Sequence, residues 1–437
     1  FSSIESPAAV IFTPSYNSGS LLLTASLVPF ATIAATANQR AVGAGLEALR
    51  ASPSGDMGAV MSYLYTLGAA QLDSAFDQIG PLSLASMRGL ASSASALRSQ
   101  ALEARAAGLA EGGHAGLSAY DNGRARDLDY MDYGDAAAAR KKALKTKAAP
   151  DGAGSPWGFF AAAGGLSGRQ MPGKTAGLTG PGYDITAGDF NAGADYSIGE
   201  YFSAGLLAGI DTGKADVYSP SKAEVDSTVK RYGAYGAGKA GPLRLTLYAG
   251  RAQDSFDTER TINFSGISRK AKASPDGREL NLEAGAAWHV SQESAGGLEP
   301  FIKTYYDRLD VDAFTERGAD SLDLSVDAFT ARSLRSSAGF RYSEGLDAGG
   351  GATVNTGLSV AWDHEYVGQS LPLTAALAGS GPFTVHTGDT ERNALKFGAL
   401  ISARSETGAV SGWISYSGDM RRRYFSHAVT AGAALRF

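Results

Sequence analysis

The sequence predicts an all-β transmembrane barrel of twelve antiparallel strands, preceded by a mostly helical linker region and a short β-like N-terminal segment. Three observations support this fold class. Hydrophobic residues recur at every second position from residue 157 onward, twelve segments share that period, and the last one runs into the carboxyl terminus. Because alternate residues of a membrane barrel face lipid and lumen, the chain need not be apolar overall, and its mean hydropathy is only -0.12.

The composition narrows the possible functions. A chain of 437 residues exceeds one ordinary globular core, so we expect more than one region. The net charge of -5 argues against a nucleic-acid partner, whose binding surface would be basic. The absence of cysteine excludes disulfides and thiolate sites. The sequence starts at Phe1 without an initiator Met or a charged leader, so we expect a mature or truncated piece.

Residues 1–35 have the pattern of short apolar strands separated by turns. The stretch 6–39 is uncharged and long enough for a membrane helix, but Pro7, Pro14 and Pro29 interrupt it. The sequence therefore predicts β structure here and assigns 1–35 to the first region.

The second region, 36–154, changes to helical spacing. An apolar stripe at Met57, Val60, Met61 and Leu64 predicts one helix, and a longer run at 82–107 predicts another. The segment 111–135 is polar and predicts a loop. An Ala- and Lys-rich helix pattern at 136–149 then ends at Pro150.

The third region, 155–437, carries the barrel pattern. In the last strand Phe425, Val429 and Leu435 share one parity with Phe437, whereas the other parity holds small and polar residues. Polar, charged stretches at 211–223 and 253–275 predict long loops, and 196–201 predicts a short turn. The twelve alternating segments begin near residues 157, 183, 202, 225, 243, 280, 301, 334, 354, 395, 410 and 425.

A soluble β-sandwich or soluble barrel would also alternate, but its outer face would be dense in Lys and Glu. Here the polar face is rich in Gly, Ser, Ala and Asn instead. Aromatic residues at the predicted strand ends are typical of the girdles of a membrane barrel, and they include Tyr201, Phe202, Trp288, Trp362 and Tyr424.

No motif points to catalysis or to a cofactor. The five histidines lack metal-ligand spacing, and neither G-x-S-x-G nor a P-loop is present. The sequence therefore predicts no enzyme, no catalytic or metal site and no cofactor. Glu279 and Glu283 share the lumen side of one strand. We interpret them as lumen charges that pair with basic residues of other strands, namely Arg335, Arg341, Lys396 or Arg404.

The helix pattern at 136–149 has two interpretations. It is either a solvated surface helix or a plug, whose charges at Arg140, Lys141, Lys142 and Lys145 would be attracted by acidic lumen residues. A lumen of twelve strands is wide enough for one helix. The run 82–107 is a longer competitor for the same place, and the sequence leaves the choice open.

Several motifs in order resemble the autotransporters, the type V secretion proteins. Ala37-Asn38-Gln39-Arg40-Ala41-Val42 is similar to the helical link of that family, although Ala37 stands where the family usually has proline. Ala70-Gln71-Leu72 and Phe76-Asp77-Gln78-Ile79 are similar to its next segment. Further similarity lies in Asn393-Ala394-Leu395, in the turn Tyr416-Ser417-Gly418, in His427 and in the closing Arg436-Phe437.

The resemblance implies a translocator in the bacterial outer membrane that exports an upstream β-helical passenger and anchors it at the cell surface. Residues 1–35 would be the last rungs of that passenger or its junction. The implied partners are outer-membrane lipid, the barrel-assembly machinery and periplasmic chaperones, with a monomeric barrel. Leu435 and Phe437 would form the signal that the assembly machinery recognises.

Two other functions fit a barrel of this kind. An outer-membrane porin-like channel would not need the 150 or so residues before the first strand. A barrel hydrolase would need an acid–base cluster near the extracellular rim, and the sequence offers none.

Replacing Phe437 by a charged residue is expected to impair membrane assembly before it affects anything else, because the closing strand presents this aromatic to lipid or to the assembly machinery. The amount of folded barrel in the outer-membrane fraction measures the effect. Assembly at normal levels would mean that the terminal aromatic is ordinary lipid-facing surface.

Overall fold

A computed structural model of the chain describes residues 6–53, 55–109, 155–175, 178–199, 201–291, 297–349, 352–367, 370–388 and 391–436. Twelve of its strands form one closed antiparallel barrel, which confirms the predicted fold class. We number them β1 to β12 in chain order: Trp157–Gln170, Gly182–Ile198, Phe202–Ser219, Ala223–Ala240, Leu243–Phe264, Asp276–Trp288, Gly297–Val311, Phe329–Asp347, Thr353–Glu365, Asn393–Arg404, Val410–Met420 and Tyr424–Arg436.

The ring closes between the first and last of these strands. β12 pairs antiparallel with β1 along its whole length, with Tyr424 opposite Gln170 and Arg436 opposite Gly158. Every barrel strand therefore has two neighbours, and no edge is left unpaired in the lipid.

The barrel has two different rims. The links near 199–201, 241–242, 289–296, 348–352 and 405–409 form one rim, which we call the short-turn rim. The links 171–181, 220–222, 265–275, 312–328, 366–392 and 421–423 form the other, the long-loop rim. β1 begins and β12 ends at the short-turn rim.

Side chains alternate between lipid and lumen along each strand. Leu206 and Leu358 point outward and are 70% and 64% exposed, whereas Asn191 and Thr430 point inward and are buried. Aromatic residues at strand ends, such as Trp288, face outward as the sequence predicts. Tyr424 is an exception, because it contacts the Arg421 guanidinium and lines the lumen instead of joining the outer girdle.

The predicted loops at 211–223 and 253–275 are mostly strand, so that prediction is wrong. β3 and β4 continue through the first stretch, and β5 continues to Phe264, where it turns into a further strand, Ile267–Ala273. These ends rise above the lipid, so their outer positions carry Lys, Glu and Asp as a loop does. Their inward row still alternates, with Phe256, Ile262 and Phe264 buried.

The described part of the chain before the barrel, 6–53 and 55–109, forms a hairpin and five helices. The hairpin pairs Val10–Asn17 with Ser20–Leu27, in antiparallel register. The helices are α1 (Phe30–Ile33), α2 (Ala37–Leu49), α3 (Met57–Leu64), α4 (Ala69–Ile79) and α5 (Ser86–Leu109), and a 3-10 turn (Leu82–Ala85) precedes α5. Within the part of the chain that is described, no helix is long and apolar enough to cross a membrane.

Further short strands lie at the long-loop rim and beside β7. Phe314–Thr315, Leu324–Val326, Pro372–Leu377 and Phe383–His386 form a four-stranded sheet in that order, which we call the rim sheet. The remaining elements are the strand pair Gly173–Thr175 and Leu178–Gly180, the strand Val290–Ser291 beside β7, and a 3-10 turn at Asp320–Leu322.

Helices α1–α4 form a cap on the long-loop rim. Their apolar faces, including Phe30, Leu46 and Phe76, share one core with the rim sheet and with the raised end of β5. At Gly45 the fit is close, since a Cβ there would lie 2.6 Å from the Phe383 ring. The cap thus buries the apolar residues that the raised strands present outside the membrane.

The Asn38-Gln39 motif fixes the start of α2. The Asn38 amide pairs with the His386 backbone in both directions: its Nδ2 donates to the carbonyl at 2.8 Å, and its Oδ1 accepts from the N–H at 2.9 Å. Gln39 and Thr36 complete a capping box at the helix N-terminus. The motif therefore docks the cap on the edge of the rim sheet.

Two basic residues of the raised strands hold the cap from below. Arg260 is buried, forms a bidentate pair with Glu316 and donates to the Gln78 carbonyl at 2.6 Å. Arg269 pairs with Asp56, just before α3. Burial alone would raise the pKa of Asp56, but hydrogen bonds from Ser321 and Arg269 hold it below its usual value, so this pair stays ionised at neutral pH.

Replacing Arg260 by Leu is expected to loosen the cap and to lower its free energy of unfolding by about 3–5 kcal/mol, since Glu316 is left buried without its charge partner. Limited proteolysis of the folded barrel under increasing denaturant measures this. Arg278→Leu is the matched control, because its pair with Asp312 is exposed and is worth at most about 1 kcal/mol. Equal resistance of the two variants would contradict the assignment.

Candidate functional site

Helix α5 occupies the barrel lumen. It starts at the long-loop rim, where Gly89 lies beside Tyr183 at the start of β2, and it ends at the short-turn rim, where Arg105 reaches Gly158 and Asp195. Its 24 residues extend for about 36 Å at 1.5 Å per residue, enough to pass through the hydrocarbon thickness of a bilayer.

The position of α5 bears on which segment plugs the barrel, a choice that the sequence leaves open. The described lumen contains the run that the sequence analysis set against 136–149, namely 82–107 as the 3-10 turn and α5. The other candidate, with Arg140, Lys141, Lys142 and Lys145, lies outside the described residues. Its place remains a prediction.

The amino-terminal end of α5, at the long-loop rim, fits tightly against the barrel wall. A Cβ at Gly89 would lie 2.7 Å from the Tyr183 hydroxyl and 2.9 Å from Ile185 Cδ1, so only glycine lets the helix approach β2 this closely. Leu90 packs on Gly213 of β3 in the same way. In each of these contacts a glycine on one side makes room for a large side chain on the other.

The carboxyl-terminal end of α5, at the short-turn rim, is held by a buried bidentate ion pair. Arg105 donates from Nε and Nη2 to the two oxygens of Asp195 on β2, at 2.9 Å and 2.7 Å. The Tyr235 hydroxyl of β4 donates to the same carboxylate at 2.7 Å. Both members of the ion pair are buried, so water does not screen the attraction.

A second group of charges lies next to this pair, toward the long-loop rim. Glu103 of α5 pairs with Lys303 of β7 at 2.5 Å and also with Arg341 of β8. On another face of the helix, Arg98 stacks on the Tyr248 ring and lies 3.9 Å from Glu283 of β6. The helix thus offers both signs of charge, and each meets its opposite on the wall.

Neutral polar side chains complete the contact. Ser99 donates to Glu283 at 2.9 Å, and Gln100 exchanges hydrogen bonds with Ser415 and Ser417 of β11. Ser95 donates to Asp307 at 3.3 Å. These bonds satisfy polar groups that a seated helix removes from water.

The predicted lumen charges all point into the lumen, but their partners differ from those expected. Arg335 pairs with Asp307 and Asp363, and Lys396 pairs with Asp363 at 3.0 Å. Arg341 pairs with Glu299 of β7 in addition to Glu103.

Glu279 and Glu283 were expected to pair with Arg335, Arg341, Lys396 or Arg404 on other strands. Glu283 instead contacts α5, and Glu279 lies near Arg231 and Asp254. On β8, Arg335 and Arg341 are engaged by other carboxylates, and β10 lies four strands from β6 around the ring.

Sequence reasoning missed Arg98, Glu103 and Arg105 as functional residues. A signal for them exists: α5 has Ala, Ser or Gly on nearly every side and only a few charges. A surface helix would be charged on one whole face, and a core helix would carry larger apolar residues.

Of the two residues predicted as an assembly signal, Leu435 lies on β12. Leu435 points outward and is 47% exposed, at the short-turn rim. Phe437 lies outside the described residues. Across the described ranges, no group of three or more His, Asp or Glu side chains is arranged to hold a metal ion.

The chain is similar to known proteins in sequence and in structure. The family model "Autotransporter beta-domain" matches residues 163–417. The structure is similar to the translocator domain of autotransporter NalP from Neisseria meningitidis, at 20% identity and a TM-score of 0.51, over 70% of this chain and 97% of that one. At this identity the match shows a shared fold. No curated protein matches the sequence.

Two further structures align over similar lengths. The β domain of the Bordetella autotransporter Brka is 19% identical with a TM-score of 0.47, over 65% of this chain and all 100% of that one. The transport unit of AIDA-I from Escherichia coli is 14% identical with a TM-score of 0.45, over 70% and 97%.

Replacing Arg105 by Gln is expected to loosen the lower end of α5, because Asp195 would stay buried with only a hydroxyl and an amide beside it. Losing one partner of such a pair destabilises by about 3–5 kcal/mol. Single-channel recordings should show larger and more frequent conductance fluctuations. Arg169→Gln is the matched control, since its bidentate pair with Asp184 is exposed to solvent. Quiet recordings from Arg105→Gln would contradict the role assigned to this pair.

Proposed function

The chain belongs to the autotransporter β-domain family, and we propose that its barrel exports a passenger joined to residues 1–35 and then holds it at the cell surface through α5. One observation carries the proposal: α5 is threaded through the lumen with its amino-terminal end at the long-loop rim. Everything that precedes residue 86 is thereby connected to that side of the membrane.

Outer-membrane barrels have short periplasmic turns and longer extracellular loops. The short-turn rim is therefore periplasmic, and the long-loop rim with the cap is extracellular. A chain that begins outside and passes inward through α5 has the topology left behind when a passenger has crossed the barrel.

We divide the chain by role into three regions. Residues 1–35 form the junction to the passenger, 36–154 form the link, and 155–437 form the membrane anchor. The cap supports this division, because α1–α4 share one core with the first turns of α5, through Met87 and Leu90, and with the rim sheet. A cap of this kind folds only outside, so its folding opposes backward sliding of the exported chain.

Within the link, we assign the role of pore helix to α5. Its ion pairs through Glu103 and Arg105 fix how deep it sits, and Glu283, Arg341 and Lys303 are the wall groups that receive it. The segment 136–149, with its Arg140, Lys141, Lys142 and Lys145 cluster, follows α5 in the chain. We propose a second role for it at the periplasmic side, where its basic residues would meet carboxylates of the barrel wall.

Assembly needs partners that recognise the unfolded barrel. We propose that the outward-facing end of β12, with Leu435 and Phe437, is the signal for the barrel-assembly machinery, and that periplasmic chaperones hold the chain until then. The closing role of β12 supports this, since no ring forms before this strand meets β1.

We propose that the chain is not an enzyme. The charges of α5 at Glu103 and Arg105 are engaged by the wall, which suits holding a helix better than turning over a substrate. A porin-like channel is not favoured, because a helix fills much of the lumen.

An epitope placed before residue 6 is expected to be cut by protease added to intact cells, because the proposal puts this end outside. The control is the same epitope inserted between Thr407 and Gly408, in a periplasmic turn, which should be cut only after the outer membrane is permeabilised. Western blots of both chains give the result. Protection of the first epitope in intact cells would overturn the topology.

A further inference from the structure

Helix α5 does not sit on the axis of the barrel. It packs closely against β1–β4, β11 and β12, whereas β8, β9 and β10 approach it more loosely. The lumen is therefore divided into a filled half and an open half.

The open half contains a continuous cavity of about 340 Å³, which we call the lumen groove. Along α5 it is lined from residue 85 to residue 107, about 33 Å at 1.5 Å per residue, which matches the thickness of the hydrocarbon core. One water molecule takes about 30 Å³ in the liquid, so the groove has room for a file of water molecules.

More basic than acidic side chains line the groove. Eight Lys and Arg side chains border it among the described residues, against four Asp and Glu. On the helix side α5 contributes Arg88, Arg98 and the single acid Glu103. The open wall contributes Arg335, Arg341 and Lys396.

On the open wall, three basic groups lie nearer to the water than the carboxylates of Asp363 and Glu299, whereas Glu103 on α5 is more exposed than its basic partners. Lys396 and Arg335 cover Asp363, whose side chain is only 2% exposed against 28% and 14% for the two bases. Arg341 covers Glu299 in the same way, with 14% against 5%. A small ion beside the open wall therefore meets the cations first and the carboxylates behind them.

We propose that the lumen groove is a residual permeation path for small anions, open while α5 is seated and separate from passenger export. Its low-dielectric walls focus the field of the lining bases, so the local concentration of anions rises and that of cations falls. Inorganic anions and small carboxylates are of the right size and charge. Larger solutes are excluded, because the helix leaves only a narrow space.

The test uses the full chain reconstituted in planar bilayers under a KCl gradient at neutral pH. The expected result is a small steady conductance with a reversal potential on the chloride side. A reversal potential on the potassium side, at zero, or no conductance at all would overturn the proposal.

Three variants identify the groove as the source. Lys396→Gln is expected to move the reversal potential toward zero, and Lys396→Arg to restore it. The matched control is Lys214→Gln, whose pair with Glu224 at 2.8 Å lies outside the groove and whose loss should leave selectivity unchanged. Equal shifts in Lys396→Gln and Lys214→Gln would contradict the assignment.

A cross-link separates the groove from a helix that leaves the lumen. The chain has no cysteine, and Leu90 packs on Gly213 of β3 away from the groove, so Leu90→Cys with Gly213→Cys allows α5 to be tied to β3 by a short thiol cross-linker. Anion-selective conductance should persist after cross-linking. Its loss would mean that ions pass only when the helix departs, and surface display of the epitope, measured separately, would still report on export.

Discussion

The whole structure depends on one constraint, which is that a peptide group inside hydrocarbon has no water to bond. Each N–H and C=O of the membrane strands must pair with another strand, so the sheet has to close. Here closure is achieved between β1 and β12, the two ends of the barrel sequence. The number of strands then sets the width of the lumen, and a ring of twelve leaves space for about one helix and little more.

The lumen in turn decides what the helix must look like. Where α5 lies closest to β2 and β3, one side of each contact is glycine: Gly89 against Tyr183, and Gly213 against Leu90. The few charges on the helix meet their opposites, with Arg105 at the bottom and Glu103 above it. Sliding the helix by one turn, about 5.4 Å, would separate these pairs inside a low-dielectric space. Charge complementarity therefore fixes depth as well as adding attraction.

Much of the fold is readable in the sequence because the governing signal is local. Period-two alternation identifies each barrel strand from its own residues, as in β12, and the polar lumen face follows from the same pattern. The stretches at 211–223 and 253–275 were misread because their outward residues are charged, although Phe256 and Ile262 keep the inward period. In these stretches the charged composition favours a loop, whereas the alternation of apolar residues favours a strand. The strand forms because its inward residues pack against the cap, a contact that the local sequence does not show.

The site was less predictable because its contacts join distant parts of the chain. Nothing in the neighbourhood of Glu283 indicates that its partners are Arg98 and Ser99 rather than a basic residue on β8 or β10. The helical character of 82–107 is also a local property, whereas its insertion in the lumen depends on the finished ring. The Asn38-Gln39 motif was visible, but its contact with His386 required the rim sheet.

The direction of α5 has a mechanical consequence. Leu109 and Trp157 both belong to the periplasmic end, so a pull on the cell-surface end of the chain acts along the helix axis and does not peel β1 from its neighbours. Bonds loaded in this way share the force, because the pairs at Arg98, Glu103 and Arg105 must shear together. Such an attachment resists drag on an extended passenger far better than the same bonds would if they were opened one after another.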